Sequence, residues 1–225
     1  MNPLSDKKIV VSWNKNVVPW IAAVRSEQIE SRKLVTNSAI VEAVLSHSPK
    51  ALLDMGCGEG WLIRELAPLV DHLVGVDAVP GLIEQAKAAG GGDFSVASYE
   101  AIAHGIIKDS FDTVVCNFSL LGKESVDALF RVAPSLLKPN GVFIVQTIHP
   151  VIACDNLPYV DGWRQGSWDG FSSDFIDPAP WYFRTLGSWI ALFSTNGFRL
   201  LEVQEPLHPE TYKPASIIFI GQQAQ

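Results

Sequence analysis

The length and charge of the chain exclude several classes of protein. It has 225 residues, 48% of them hydrophobic, which is enough apolar material for the core of one large domain. The formal net charge is −7, and no run of Lys or Arg occurs. Binding to nucleic acid or to an anionic membrane depends on clustered positive charge. We therefore expect neither kind of partner.

The cysteines and the first residues give a second set of expectations. Cys57, Cys116 and Cys154 are odd in number and lack C-x-x-C spacing, so neither a disulfide framework nor a zinc site is predicted. The five histidines are scattered, and no metal site is predicted. Residues 1–13 lack the apolar core of a signal peptide, and no apolar stretch has the length of a membrane span. We expect a soluble cytoplasmic protein, either a monomer or a homodimer.

Residues 14–48 are predicted to be mainly helical, because apolar residues recur there at a helical spacing. Thr36 is a possible N-cap of the second helix. The mixed-charge segment R-S-E-Q-I-E-S-R between the two helices has two interpretations. Either it forms a solvated face, or Trp20, Arg25 and Arg32 line the mouth of a site.

The stretch ALLDMGCGEGW at residues 51–61 organises the rest of the chain. A short apolar run ends at Asp54 and is followed by Gly56, Gly58 and Gly60, after which a helical pattern begins. This order predicts a strand, a tight loop and a helix. Glycine permits sharp turns and lets a ligand approach the backbone closely. The alternate glycines therefore predict a ligand lying against the loop.

A second apolar run, residues 73–76, ends at Asp77, which is 21 positions after Gly56. In doubly wound α/β folds, an acid at the tip of the second strand hydrogen-bonds the ribose of a bound nucleoside. The spacing therefore predicts a cofactor that contains a nucleoside.

The glycine pattern departs from the dinucleotide fingerprint G-x-G-x-x-G. Trp61 stands where the third glycine would be, and Glu59 would lie beside any bound phosphate. An NAD(P)-dependent oxidoreductase is thereby disfavoured but stays open as an alternative. A protein that binds a nucleoside cofactor without catalysis is the other alternative.

The motif D-M-G-C-G-E-G followed by V-G-V-D resembles the signature of class I S-adenosylmethionine-dependent methyltransferases, of the small-molecule, methyltransferase-11/12-like type. A K-P-N-G turn before G-V-F-I-V is also similar to that family's pattern. The resemblance implies a Rossmann-like doubly wound α/β fold with seven strands, mostly parallel, with an antiparallel C-terminal strand. It also implies that S-adenosylmethionine is the cofactor and S-adenosylhomocysteine the product, with the glycine loop against the amino acid tail and Asp77 on the ribose.

The predicted elements alternate between strand and helix from residue 51 to about residue 150, which indicates a parallel sheet. The predicted strands are 51–55, 73–77, 93–97, 111–117, 141–148, 197–205 and 215–221. The predicted helices are 60–70, 80–89, 123–137 and 187–196.

We predict that residues 1–225 form one methyltransferase domain. The N-terminal helical cap is 1–49, the cofactor-binding core is 50–150, the lid insertion is 151–186, and the last helix and strand pair are 187–225. The insertion is irregular but rich in aromatic residues, which argues against disorder and favours a functional lid.

The resemblance implies a set of cofactor-binding residues at the carboxyl ends of the strands. The family often has an acid at the end of strand three, where this chain has Ala97, Ser98 and Tyr99, so Ser98 or Tyr99 is the candidate substitute for the adenine contact. Cys57 is included, although it is also explained as a small buried filler. The full set is Asp54, Gly56, Cys57, Gly58, Asp77, Ala78, Ser98, Tyr99, Asn117 and Phe118.

Methyl transfer from a sulfonium needs few catalytic side chains, because the cofactor brings the reactive group and the protein mainly aligns donor and acceptor. His149, after strand five, is the candidate general base, since histidine titrates near neutrality. Tyr182 is the second candidate catalytic residue. The predicted function is methyl transfer to a small-molecule acceptor under an aromatic cap. The residues predicted to line the acceptor pocket are Trp20, Arg25, Trp163, Trp181 and Arg184.

Overall fold

A computed structural model describes residues 2–224, which fold around a seven-stranded sheet with a small two-stranded sheet beside it. The strands are β1 Ala51–Met55, β2 His72–Asp77, β3 Asp93–Val96, β4 Phe111–Asn117, β5 Leu137–Thr147, β6 Gly162–Arg164, β7 Trp181–Phe183, β8 Phe198–Gln204 and β9 Ile217–Gln223. The α-helices are α1 Asp6–Lys15, α2 Val17–Arg25, α3 Asn37–Leu45, α4 Trp61–Leu66, α5 Pro80–Ala89, α6 Tyr99–Ala103, α7 Glu124–Val132, α8 Pro150–Cys154 and α9 Leu186–Thr195.

The strand order of the large sheet is β3-β2-β1-β4-β5-β9-β8, and β9 runs antiparallel to both of its neighbours. The predicted fold class is confirmed. The chain crosses from β1 outward to β3 and then returns to β4 on the other side of β1. In open α/β sheets, ligands bind at the carboxyl ends of the strands beside such a reversal. The fold therefore directs attention to the ends of β1 and β4.

Two buried clusters fill the two sides of the large sheet. One cluster packs α3, α4 and α5 against it, with Ile40, Ile63 and Ile83 among its members. The other packs α7 and α9 against the opposite side, with Phe130 and Phe193 at its centre. Because residues alternate along a strand, β1, β2, β4, β5 and β9 each contribute to both clusters. The sheet is thus covered on both sides, as its predominantly parallel strands require.

The N-terminal helices differ from the prediction in two ways. α1 begins at Asp6, well before residue 14, with Ser5 as its N-cap. The prediction that Thr36 caps α3 was wrong, because Thr36 has helical backbone angles (φ −76°, ψ −23°) and its side chain makes no capping bond. Instead, a π-helical segment, Arg32–Thr36, leads directly into α3.

β5 also begins earlier than predicted. Leu137 pairs with Phe111 at the start of β4, and pairing resumes only at Val142 with Thr113. Residues 138–141, the K-P-N-G turn, bulge out of the strand between these pairs, with Asn140 at a φ of 67°. The turn therefore interrupts β5 and does not precede it.

The insertion 151–186 contains more regular structure than its sequence predicted. α8 begins it, and β6 and β7 form the small antiparallel sheet. The backbone amide of Tyr182 donates to the carbonyl of Leu121 at 2.8 Å, which ties β7 to the segment after β4. Within residues 2–224, every helix is too short or too polar to cross a lipid bilayer.

Candidate functional site

The glycine loop joins β1 to α4, and all three of its glycines have positive φ, at 81°, 58° and 82°. Two of them are required by protein packing. A methyl group on Gly56 would lie 2.3 Å from Ser119 Cβ, and one on Gly60 would lie 2.9 Å from the Phe94 ring. At Gly58 the nearest atom would be Trp20 Nε1, at 3.7 Å. Gly58 is therefore the loop position that leaves room for a ligand.

Asp77, at the end of β2, holds the glycine loop in place. Its carboxylate accepts hydrogen bonds from the backbone amides of Gly58 at 3.0 Å and Val79 at 2.9 Å. Burial raises the pKa of Asp77, and these amide donors oppose the rise. Because a carboxylate has about four acceptor positions, two bonds leave capacity for a ligand hydroxyl.

Near the loop lie a buried carboxyl, Asp54, and a half-buried guanidinium, Arg32. Asp54 is 2% exposed, and its Oδ1 has no hydrogen-bond partner. Burial raises the pKa of Asp54 to about 8; the charge of Asp77 adds to the rise, and Arg32 opposes it. The Nη2 of Arg32 is also buried without a partner. Burial lowers the pKa of the Arg32 guanidinium to about 10. Each group therefore has one buried polar atom for which the protein supplies no partner.

Arg32 is held in place by aromatic rings. Its guanidinium lies 4.8 Å from the ring centroid of Trp61 and 5.6 Å from that of Trp20, and its Nε donates to Asn37 Oδ1 at 3.1 Å. Trp61, which stands where a dinucleotide fingerprint has glycine, therefore packs against Arg32. Trp20, predicted to line the acceptor pocket, lies over the glycine loop, and its role toward the acceptor stays a prediction.

Glu59 sits in the glycine loop but is only 1% exposed, and two arginines neutralise it. Arg25 Nε donates to its carboxylate at 2.8 Å, and Arg64 Nη2 donates at 2.7 Å. The inference that Glu59 repels a bound phosphate is not supported, because its charge is compensated. Arg25, predicted to line the acceptor pocket, bonds Glu59 and so anchors α2 to the loop; its role at the pocket stays a prediction.

The residues predicted to contact adenine have partners within the protein. Ser98 caps α6 by accepting from the amide of Ala101 at 3.1 Å, and the Tyr99 hydroxyl donates to the Met55 carbonyl at 3.3 Å. Cys57 is buried with a raised thiol pKa, as expected of a small filler. Ala78 is half-buried beside Asp77. Their roles toward a cofactor stay predictions.

Asn117 and Phe118 end β4 next to the glycine loop. Phe118 has a φ of 53°, and its amide donates to the Gln146 carbonyl at 2.9 Å. The Oδ1 atom of Asn117 is buried without a partner. Ser119 follows, and its hydroxyl donates to the Met55 carbonyl at 2.8 Å, which joins the ends of β4 and β1.

His149 is buried at the N-terminus of α8, and both of its ring nitrogens are engaged. Nδ1 accepts from the amide of Val151 at 3.3 Å, so Nε2 carries the proton and donates to Glu205 Oε1 at 2.7 Å. The geometry favours a positioning role that links α8 to the segment after β8. Catalysis by His149 stays a prediction.

Tyr182 and Arg184 lie on β7 and just after it, beside a cavity of about 260 Å³ between α7 and α9. Arg184 is 5% exposed and donates to the Gly122 carbonyl at 2.9 Å and to Asp127 Oδ1 at 3.0 Å. Its guanidinium lies 4.9 Å from the Tyr182 ring centroid. Arg184 is thus bonded to α7 and the segment before it, and the structure does not place it in the glycine-loop site.

Trp163 and Trp181 occupy opposite faces of the β6–β7 hairpin, because Trp163 pairs with Tyr182 and Trp181 with Arg164. The Trp163 ring packs edge-on against Tyr182 at 5.6 Å, and the Trp181 ring against Phe183 at 5.9 Å. The two tryptophans therefore cannot line one pocket from the same face.

α1 and the tip of the insertion contact each other directly. Asn16 exchanges hydrogen bonds with the backbone of Ile176 at 2.8 and 2.9 Å, and Trp13 packs edge-on against Trp168 at 5.6 Å. Lys8 and Lys15 both form ion pairs with Asp177. The two segments predicted to form the cap are joined into one surface.

The sequence alone predicts no role for Ser119 or Gln146, and names Arg32 only in an alternative that it leaves open. Arg32 belongs to the mixed-charge segment after Trp20, which the sequence interprets either as a solvated face or as the mouth of a site. Ser119 comes shortly after β4, and Gln146 lies near the end of β5. Because ligands bind at the carboxyl ends of the strands in open sheets, polar residues at these positions could have been predicted to face a ligand.

Comparisons with known proteins agree with this arrangement. The methyltransferase domain family Methyltransf_11 matches residues 53–145, which run from β1 to β5. The chain is 34% identical over 114 residues to the ubiquinone biosynthesis O-methyltransferase of Xanthomonas euvesicatoria pv. vesicatoria (strain 85-10), a match covering 48% of this chain and 47% of that protein. The chain thus spans about half the length of this relative.

Solved structures share the fold. The S-adenosylmethionine dependent methyltransferase from Mesorhizobium loti aligns with a TM-score of 0.65 at 22% identity, over 82% of this chain and 96% of that one. Magnesium protoporphyrin IX methyltransferase from Synechocystis PCC 6803, solved with bound SAH, aligns with a TM-score of 0.58 at 15% identity, over 87% and 83% of the two chains. Residues 53–145 thus match a methyltransferase domain, and the chain shares the fold of S-adenosylmethionine-dependent methyltransferases of known structure.

Proposed function

We propose that the chain transfers a methyl group from S-adenosylmethionine to a small-molecule acceptor. The observation that carries this proposal is the pair formed by Asp54 Oδ1 and Arg32 Nη2. Both atoms are buried and lack a partner, and one belongs to a carboxyl that can ionise while the other belongs to a guanidinium cation. The amino acid tail of S-adenosylmethionine carries one ammonium and one carboxylate, which match this pair. A dinucleotide has no such tail, so the pair favours the sulfonium cofactor.

The remaining groups of the loop fit the rest of the cofactor. Asp77 has acceptor capacity left for ribose hydroxyls, and Gly58 permits close approach under Trp20. When bound, the cofactor supplies an electrophilic methyl group, and the chain's own residues have to orient the two reactants and exclude water. Asp54 and Arg32 would hold the tail from opposite sides, and Trp20 would shield the loop from solvent.

The acceptor would enter from the side of the cap. α1 and residues 168–177 are joined by hydrogen bonds, ion pairs and aromatic contacts, which supports a role in enclosing a small molecule. The Xanthomonas relative is named for O-methylation in ubiquinone biosynthesis, which favours a small acceptor over a macromolecule. Both ring nitrogens of His149 are engaged, so the proposed mechanism requires no proton transfer to it.

Calorimetry with three ligands tests the proposal. We expect S-adenosylhomocysteine to bind with a micromolar dissociation constant, about −8 kcal/mol, and NAD not to bind. 5′-Methylthioadenosine, which keeps the nucleoside but lacks the amino acid tail, should bind more weakly. Binding of NAD without binding of S-adenosylhomocysteine would sink the proposal.

Two substitutions separate the tail from the ribose. Arg32→Gln should weaken the binding of S-adenosylhomocysteine by about tenfold, about 1.4 kcal/mol, and leave the affinity for 5′-methylthioadenosine unchanged. Asp77→Asn should weaken both ligands. Equal losses for both ligands in Arg32→Gln would show that Arg32 does not contact the tail.

A further inference from the structure

Six side chains between residues 2 and 224 have a buried polar atom without a hydrogen-bond partner, and they are Arg32, Thr36, Asp54, Thr113, Asn117 and Gln146. Arg32 and Thr36 are the first and last residues of the π-helical segment. The other four lie on the adjacent strands β1, β4 and β5. Such atoms are rare in native proteins, so their concentration in one region calls for an explanation.

The four strand residues share one side of the sheet. Side chains alternate along a strand, so Gln146 shares a face with Ile144, two residues before it. Asn117 shares a face with Val115 in the same way. Ile144 and Val115 belong to the cluster that also contains Ile40 of α3. The unpartnered atoms therefore face the side of the sheet that α3 covers.

Asn117 and Gln146 are neighbours at the carboxyl ends of their strands. They are paired in register on parallel strands, which places their backbones about 4.8 Å apart. Gln146 is 1% exposed, and its amide nitrogen donates to Ser216 Oγ at 2.9 Å. This bond fixes the side chain and leaves the carbonyl oxygen free as an acceptor.

Thr36 lies at the same end of the sheet. α3 packs on β4 and β5. It ends at Leu45, shortly before β1 starts, so its C-terminus lies near the amino ends of the parallel strands. Its N-terminal side, where Thr36 precedes Asn37, is therefore above the strand ends. Thr36 is 1% exposed, and its hydroxyl has no partner.

We propose that Thr36, Asn117 and Gln146 form the floor of the acceptor site and select an acceptor whose buried end carries N–H or O–H donors. This inference rests on the proposed function. Single π-helical turns occur frequently at functional sites, and here the turn places Arg32 toward the cofactor tail and Thr36 toward the acceptor. The Asn117 and Gln146 carbonyl oxygens accept hydrogen bonds but cannot donate them.

The same chemistry excludes some acceptors. A carboxylate or phosphate placed there would face two carbonyl oxygens, with donors only from the Thr36 hydroxyl and the Asn117 amide nitrogen, and Asp54 lies on the neighbouring strand. An ether or hydrocarbon would leave the carbonyl oxygens unpaired. The acceptor expected at this floor is therefore a neutral or cationic molecule with hydroxyl or amino groups at its inner end.

A matched set of three fragments tests the selection on protein saturated with S-adenosylhomocysteine. Catechol carries two O–H donors, veratrole is the same ring with both hydroxyls methylated, and benzoate is an anion. Ligand-observed NMR should detect catechol and give at least tenfold weaker binding for the other two. Equal binding of catechol and veratrole, or no binding of catechol, would overturn the inference.

Three variants locate the fragment. Gln146→Met and Thr36→Val should each weaken catechol binding by about tenfold and keep S-adenosylhomocysteine affinity within twofold. Thr36→Val should leave the melting temperature unchanged or higher, since it removes an unpaired buried group, whereas Gln146→Met should lower it slightly, because it also removes the hydrogen bond to Ser216. Thr113→Val is the matched control, because Thr113 is an unpartnered group on the same face, four residues before Asn117. It should leave catechol binding unchanged.

The outcomes separate the two proposals. If the unmodified protein does not bind S-adenosylhomocysteine, that result counts against the proposed function alone. If both Gln146→Met and Thr36→Val keep the catechol affinity of the unmodified protein, the inference that these residues form the floor of the acceptor site is overturned. A lower melting temperature in both variants, with catechol affinity unchanged, would assign these side chains a structural role instead.

Discussion

The glycine loop and the cap differ in how far apart in sequence their contacting residues lie. Within the loop, Asp77 bonds Gly58 across 19 residues, inside one strand–helix–strand unit. In the cap, Asn16 bonds Ile176 across 160 residues. A motif records local backbone geometry, so the loop could be recognised from sequence. The pairing of α1 with the insertion could be expected in outline, but not residue by residue.

The largest effect is expected from Gly56→Ala, which tests whether the loop conformation is set by packing. The new methyl group would meet Ser119 Cβ at 2.3 Å, at a backbone φ of 81°. Overpacking and the left-handed backbone together should lower the free energy of unfolding by about 3 kcal/mol. Chemical denaturation measures this change, and calorimetry should show S-adenosylhomocysteine affinity falling about 100-fold.

Gly90→Ala is the control, because Gly90 has a φ of 78° but open space around its Cα. Only backbone strain acts there, so we expect a loss of about 1 kcal/mol in unfolding free energy and unchanged ligand affinity. Equal destabilisation in the two variants would show that packing against Ser119 contributes nothing.

The second prediction addresses the cap. Asn16 is fully buried and bonds Ser12 and Ile176 through its side chain, so Asn16→Ala should lower the free energy of unfolding by about 2 kcal/mol. Hydrogen exchange should rise in residues 168–177, while S-adenosylhomocysteine affinity stays within twofold.

Asn14→Ala is the matched control at the end of α1, two residues before Asn16, since Asn14 bonds only the Val10 carbonyl at an exposed position. It should change neither exchange nor stability by a measurable amount. If Asn16→Ala weakened S-adenosylhomocysteine as strongly as Gly56→Ala does, the loop and the cap would be one coupled unit and the contrast between them would fail.

The third prediction uses the pKa of Asp54, which burial raises to about 8. Below that pH the free protein holds this carboxyl protonated, and an ammonium beside it would favour the ionised form. Binding of S-adenosylhomocysteine should then release a proton, and affinity should rise by up to about tenfold per pH unit from pH 6 to 7.5. Calorimetry in buffers of different ionisation enthalpy measures the release.

Asp54→Asn should remove both the proton release and the pH slope. Stability should change with pH in the opposite direction to that expected for an ordinary ion-paired carboxylate. The unfolded chain ionises Asp54 near its usual value of 3.8, whereas the folded protein does so only near 8, so stability falls as pH rises between these values. The variant should lose less stability than the unmodified protein between pH 5 and pH 8. A pH-independent affinity in the unmodified protein would place the ammonium elsewhere.

The elements predicted best are those whose signals are local. α5 begins at Pro80 and ends at Ala89, and β4 spans Phe111–Asn117, both as predicted. A proline at the first turn and a glycine after the last fix α5, and a run of buried apolar residues fixes β4. The seven-stranded, mostly parallel sheet with its antiparallel C-terminal strand is also as predicted.

The misses concern features that depend on partners distant in sequence. β5 starts at Leu137 because Phe111 offers a pairing partner, which the turn residues alone do not reveal. Thr36 looks like a cap in sequence, but helix continues through the π-helical segment. Arg25 and Glu59 were read as separate charges, whereas their ion pair forms only when α2 lies over the loop.

The smallest effect is expected at His149, which joins the core to the cap. If it serves as the cap of α8, His149→Ala should lower the free energy of unfolding by about 1 kcal/mol and speed hydrogen exchange in Pro150–Cys154. Glu205→Gln keeps an acceptor for Nε2 and should change neither. With an acceptor that supports turnover, release of S-adenosylhomocysteine by His149→Ala should fall less than threefold with the same pH profile. Loss of the acidic limb of that profile would instead restore His149 as the general base, since a base must be deprotonated to act.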